Sequence, residues 1–276
     1  MDNLLSFKNI SIIYNKDVKE SYDIALLVHK TFETKGIKST VTTSHNLDNQ
    51  ATLAVTIGGD GTLLKAARFY APLNVPVFGI NLGRLGFLAQ ANIDEIDSSI
   101  DKLINGKYKI QNRMMLEVAS GHDMLALNDI VIKGDSFSRT SKLFLSINGK
   151  VVCDYLADGL IISTPTGSTA YTLSAGGPVV SPDLLAIVIV PICPHTLTSR
   201  PLVIPADENI TVTSCNSGNM LKMSADGQET VEVPANKEIK INKSNVMARL
   251  VILEKEDNEF YSILREKLQW GVAPER

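Results

Sequence analysis

An α/β N-terminal domain of parallel βαβ units, joined to a β-rich, sandwich-like C-terminal domain, is the fold this 276-residue sequence predicts. Three observations carry it. Up to Gly106, short apolar runs alternate with stretches of helical periodicity, the rhythm of parallel βαβ packing. One of those runs ends in Gly58-Gly59-Asp60-Gly61-Thr62, a glycine-rich turn between strand and helix. From Met114 the rhythm changes to short runs separated by the turn pairs Asn148-Gly149, Gly218-Asn219 and Asp226-Gly227.

Taken in order, Ile10 to Tyr14 is β-branched and apolar and reads as the first strand. Val18, Ala25, Val28 and Phe32 fit one face of a helix that Gly36 would stop. Ile37 to Thr43, Leu53 to Ile57 and Pro76 to Ile80 are the next three strands, with a helix through Ala66, Ala67 and Phe69 after the glycine turn. Asn81 to Leu88, with two glycines and Arg84, suggests a second loop facing the same crevice, or a plain surface turn. Ile93 to Ile104 is helical and Gly106 ends it. Met115 to Val118, Lys142 to Ile147, Gly159 to Ser163, Ile210 to Thr213 and Leu250 to Leu253 read as strands, and Phe260 to Leu268 as a short amphipathic helix. The expected domains are therefore 1–112 and 113–254, with 255–276 packing back on the first.

Composition excludes several classes. A net charge of −3 gives no nucleic-acid footprint. Cys153, Cys193 and Cys215 are odd in number and lack metal-ligand spacing, so free thiols in a reducing cytoplasm are expected, with no disulfide and no zinc. Met1 to Ser6 lacks the pattern of a signal peptide, and the longest apolar run, Leu184 to Cys193, is broken by Pro191 and too short to span a bilayer. His195, between Pro194 and Thr196, reads as a structural histidine; His29, His45 and His122 have no informative spacing.

The glycine turn is the first place where chemistry is written. Gly58, Gly59 and Gly61 let the backbone approach a polyphosphate, and a helix N-terminus favours anionic oxygens. Asp60 would then stand at the ligand, to take a hydroxyl proton or help hold a metal ion; an N-capping aspartate in an ordinary turn is the simpler alternative. The turn is neither a Walker A loop nor a Rossmann fingerprint. Asn128-Asp129 pairs a carboxamide with a carboxylate, a combination that can grip a vicinal diol, although such dipeptides also make turns. Asp158 to Pro178 runs a strand into a hydroxyl-rich loop, Ser163 to Tyr171, around Gly167. Hydroxyls, exposed N–H groups and Tyr171 suit a nucleotide, with phosphate on the amides and a ring against the tyrosine.

Together, Gly58-Gly59-Asp60-Gly61-Thr62, Asn128-Asp129, Thr164-Pro165-Thr166-Gly167-Ser168-Thr169-Ala170-Tyr171, Pro194-His195-Thr196-Leu197 and Asp226-Gly227-Gln228 closely resemble the bacterial NAD kinases over essentially the full length. That resemblance implies transfer of the ATP γ-phosphate to the 2′-hydroxyl of the adenosine ribose of NAD, giving NADP, with a divalent cation, Mg²⁺ first. It implies Asp60 as the catalytic proton acceptor or orienting carboxylate. Dinucleotide contacts are implied at Asp60, Gly61, Lys65, Asn128, Asp129, Arg139, Asp158, Thr169, Ala170, Tyr171, Thr172, Leu173, Ser174 and Gln228, with no dedicated protein metal site. It also implies a homodimer or homotetramer whose sites are completed across subunits, Asp158 reaching a neighbour, and no nucleic-acid or membrane partner. A lipid kinase using the same turn, and a non-catalytic NAD(P)-binding sensor, remain open on the residues alone.

Overall fold

The computed structural model describes residues 7–83, 86–119, 124–134, 140–214, 220–234, 236–254 and 260–268. The chain divides into two compact units, Met1–Asn112 with Ala248–Arg276, and Arg113–Met247.

In the first unit, β1 (Ile10–Tyr14), α1 (Ser21–Thr34), β2 (Ser39–Thr43), β3 (Leu53–Ile57), α2 (Asp60–Tyr70) and β4 (Val77–Asn81) alternate as expected. The strands lie in the order β4-β3-β1-β2, all parallel. A short β5 (Ala91–Asn92) adds to β4, and α3 (Ile96–Ile104) follows a single 3₁₀ turn. Ile10, Ile12, Leu53, Val55, Ile57, Phe78 and Ile80 are fully buried, each such side chain contributing roughly 1.5–3 kcal/mol. Ala25, Val28 and Phe32 form the buried stripe of α1, at helical spacing. Val18 does not belong to it. It is exposed in a turn three residues before the helix, where Ser21 Oγ donates to the Val18 carbonyl (2.7 Å) and closes the entry. Helix α5 (Phe260–Leu268) has the predicted limits and buries Ile263 and Leu264.

The second unit is a β-sandwich. Its strands are β6 (Tyr108–Val118), which begins in the first unit, β7 (Met124–Ala126), β8 (Asp129–Gly134), β9 (Ser141–Ile147), β10 (Lys150–Ala157) and β11 (Gly159–Ser163). After the one-turn α4 (Tyr171–Ser174) come β12 (Ala186–Ile192), β13 (Leu202–Pro205), β14 (Ile210–Ser214), β15 (Met220–Ala225), β16 (Glu229–Pro234) and β17 (Ile239–Leu253), whose last residues belong to the first unit. One antiparallel sheet runs β13-β12-β11-β8-β15-β16; in the other, β10, β9, β14 and the start of β17 are neighbours. A common core that includes Ile130, Ile132, Leu160, Ile162 and Met223 from the first sheet, and Leu143, Leu145, Val212 and Ile241 from the second, joins them. Asn148-Gly149 and Asp226-Gly227 turn tightly with positive φ, as the sequence suggests; Gly218-Asn219, Arg84 and Cys215 lie outside the described residues. Pro191 falls inside β12, opposite Leu160, but beyond the point where β13 stops pairing, so its missing N–H leaves no ladder gap. Among the described residues no helix is long and apolar enough to cross a membrane.

Candidate active site

In the first unit the glycine turn closes at the C-terminal end of β3, the side on which parallel sheets present ligands. Gly58 has φ +153°, a conformation other residues rarely adopt, and Gly59 caps α2. Asp60 opens the helix, where the helix dipole favours a carboxylate. Its two oxygens accept the Phe87 N–H (3.0 Å) and the Leu88 N–H (3.4 Å) of the following loop. Gly86 makes this approach possible: a Cβ there would lie 2.2 Å from Asp60 Oδ1. Phe87 and Leu88, in the stretch read as either a second loop at the same crevice or a surface turn, thus fix the direction of the carboxylate. Gly61 is exposed, and Lys65 is half-buried one helical turn further on.

In the second unit a cavity of about 400 Å³ opens between β8, β15 and the loop after β11. Asn128, Asp129, Ala170 and Tyr171, four residues implied by the resemblance, line it. So do Val131, Lys133, Lys222, Ser224 and Thr230, which the sequence reading missed, and Asp226 and Gly227, which it read as a turn within the family motif. A signal for several of them existed. Asp129, Val131 and Lys133 stand at alternate positions of one strand, so they share a face, and Lys222 and Ser224 pair across from Lys133 and Val131. Lys133 Nζ donates to the Tyr171 hydroxyl (2.9 Å) and sits 4.8 Å from the ring centroid, so the exposed aromatic is held at the rim.

The tripeptide Leu127-Asn128-Asp129 is tied down through its whole backbone. The three N–H groups converge on the Asp226 carboxylate, at 3.1, 2.7 and 3.2 Å. The Leu127 carbonyl accepts Thr164 Oγ1 (2.6 Å), the Asn128 carbonyl accepts the Thr164 N–H (2.8 Å) and Ser163 Oγ (3.1 Å), and the Asp129 carbonyl accepts the Asp226 N–H (2.9 Å). Both side chains are left to the cavity.

The hydroxyl-rich loop behaves differently from the expectation that its hydroxyls serve a ligand. Ser163, Thr164 and Ser168 are fully buried and bond inward: Ser168 Oγ donates to the Pro165 carbonyl (2.6 Å) and accepts the Val180 N–H (3.0 Å). Arg113, itself buried, donates to Thr166 Oγ1 (3.3 Å); burial draws its guanidinium down to about 10, against the opposing pull of Asp183. These hydroxyls shape the loop. Thr169, Leu173, Ser174 and Gln228 do not line the cavity, and Thr172 is fully buried. Asp158 is exposed and also outside the lining, and Arg139 lies outside the described residues.

Burial, and secondarily the neighbouring Asp226 carboxylate, push the Asp129 carboxyl up to about 7. The folded chain therefore holds this proton more tightly than the unfolded chain does. The associated stability is complete below the ordinary carboxylate value and is lost as pH rises through 7. Asp129→Asn removes that dependence. Its melting temperature is expected to gain on that of the native chain by several degrees between pH 5 and pH 8; parallel melting curves across that range would dismiss the assignment.

The chain is similar to known proteins across both units. Residues 3–108 match the family described as ATP-NAD kinase N-terminal domain, and residues 127–253 the ATP-NAD kinase C-terminal domain. The NAD kinase of Moorella thermoacetica is 47% identical over 220 residues, 78% of this chain and 70% of that protein. That of Heliobacterium modesticaldum is 43% identical over 228 residues, 80% of each chain. Among solved structures, yeast NADH kinase complexed with NADH superposes with a TM-score of 0.84 at 25% identity, covering 98% of this chain and 89% of that one. An NAD kinase from Archaeoglobus fulgidus in complex with ATP gives 0.80 at 26% identity, covering 95% and 100%.

Proposed function

This chain belongs to the NAD kinase family and is an ATP-dependent kinase of NAD, and we propose that it transfers the γ-phosphate to the 2′-hydroxyl of the adenosine ribose, with Asp60 as the carboxylate that orients that hydroxyl or takes its proton. The observation that carries the ribose assignment is the pinned Asn128-Asp129 pair, two side chains of complementary hydrogen-bonding capacity held at a cavity beside Tyr171. A diol needs partners that donate and accept at fixed positions, and a backbone with every polar group engaged supplies them without reorganisation. Ala170 and Tyr171 offer the base a surface. Gly61 and Lys65, with the α2 N-terminus, suit phosphate. Thr169, Thr172, Leu173, Ser174 and Gln228 act in this reading mainly by shaping the segments that carry the lining residues, and Arg139 adds a basic contact.

Phosphoryl transfer is largely positioning and charge stabilisation, so a carboxylate fixed by two N–H groups suits the orienting role. A divalent cation enters with ATP as its complex. In that complex phosphate oxygens and water would supply its coordination. The assembly is a homodimer or homotetramer. Strand β10 is a sheet edge that leaves Val151, Val152 and Leu156 exposed, and Asp158, just beyond it, is free to complete a neighbour's site. The free thiols of Cys153 and Cys193 fit a reducing cytoplasm.

The test is to incubate the protein with ATP, Mg²⁺ and NAD, to assay NADP with an NADP-specific dehydrogenase, and to size the active species by light scattering. NADP made by a dimer or tetramer is the expected result. NAD bound without transfer would leave a sensor, neither binding nor transfer would point to lipid acceptors, and an active monomer would remove the shared-site part.

A further inference from the structure

We propose that Asp226 is a positioning residue for the acceptor substrate: its carboxylate sets the conformation of Asn128 and Asp129 and so determines affinity for the vicinal diol of the ribose. In sequence Asp226 looks like half of an Asp-Gly hairpin turn, and its φ of 51° fits that role. A turn residue needs no long-range partners. The Asp226 carboxylate accepts from all three main-chain N–H groups of the tripeptide that carries the ribose-facing pair, at 2.7 to 3.2 Å. Its own N–H returns to the Asp129 carbonyl, so the hairpin and the tripeptide are locked in both directions. Three successive N–H groups converging on one carboxylate make an anion-binding concavity, so the negative charge of Asp226 is the natural group to hold them. Asp226 also lines the cavity, beside the two side chains it sets.

The inference rests on Asn128-Asp129 holding the ribose of NAD, and the experiment separates the two. KM for NAD and for ATP would be measured for Asp226→Ala, Asp226→Asn and Asn128→Ala, with circular dichroism to verify folding. Asp226→Ala orphans three N–H groups and is expected to raise KM for NAD about 10- to 100-fold with KM for ATP within about twofold. Asp226→Asn keeps one accepting oxygen, which two of the three N–H groups use, so it should fall between Asp226→Ala and the native chain. A folded Asp226→Ala with NAD KM unchanged, or with both KM values rising together, overturns the positioning role while Asn128→Ala still weakens NAD. If Asn128→Ala also leaves the NAD KM untouched, the ribose assignment fails and the role of Asp226 falls with it. Should Asp226→Ala not fold, an Asp226→Asn enzyme with native NAD KM overturns the proposal and one with a selective rise supports it.

Discussion

Asp60→Asn is expected to lower kcat for NADP formation by about 10²- to 10⁴-fold while NAD still binds. The side chain has nearly the shape of the original, so the loss reports charge and basicity more than packing. The carboxylate accepts one N–H on each oxygen, from Phe87 and Leu88. An asparagine retains one acceptor and turns an amino group towards the other N–H, so a small stability loss of about 1 kcal/mol accompanies the substitution. That is far short of unfolding the first unit, whose sheet core Asp60 does not enter. Turnover by coupled assay and NAD binding by calorimetry separate the two effects. Near-normal turnover would remove Asp60 from the chemistry. A loss of binding as large as the loss of turnover would make it a ground-state contact instead.

Gly167→Ala should be the most damaging single-methyl change in the second unit. A Cβ there would stand 2.2 Å from the Asn128 carbonyl oxygen, 2.5 Å from its carbon and 2.6 Å from Ser163 Oγ. Two of those atoms are backbone and cannot rotate aside. The alternatives are strain in the loop or displacement of Asn128, and each costs about 1–3 kcal/mol, or more. A lower melting temperature and a raised KM for NAD are expected together, because the atoms displaced belong to the pair proposed to hold the ribose. Gly83→Ala, where nothing lies within 4 Å, is the matched control for the melting temperature. A Gly167→Ala enzyme indistinguishable from that control would show that the loop and Asn128 are not in register as described.

The fold was legible where the signal is local. β1, β3, β11 and α5 have the limits that apolar runs and periodicity predict, and Gly36 and Gly106 adopt the positive φ expected of helix stops. Errors arose where a local pattern was overruled by its surroundings. Val18 satisfies helical spacing, yet Ser21 bonds back to it and delays the helix. The hydroxyls of Ser163, Thr164 and Ser168 have the composition of a ligand loop, but composition does not say which way a hydroxyl turns, and these turn inward. For the site, Asp60, Asn128, Asp129 and Tyr171 were visible as motif residues. Lys133 and Lys222 were not, since single lysines on strands carry no message until the register places them side by side. Asp226 was visible as a turn and motif residue, but its role was hidden, because its partners lie 97 to 99 residues earlier in the chain.

That separation has a kinetic side. Leu127, Asn128 and Asp129 leave the ribosome before the carboxylate that organises them, and at about 5–20 residues per second the delay is roughly 5–20 s. Until the β15–β16 hairpin forms and docks along β8, the three N–H groups can only be solvated. Closing so long a loop is slow relative to local helix and hairpin formation. The cavity beside β8 is thus expected among the last features of the nascent chain to mature, and a chain released before residue 226 would carry Asn128 and Asp129 without the carboxylate proposed to aim them.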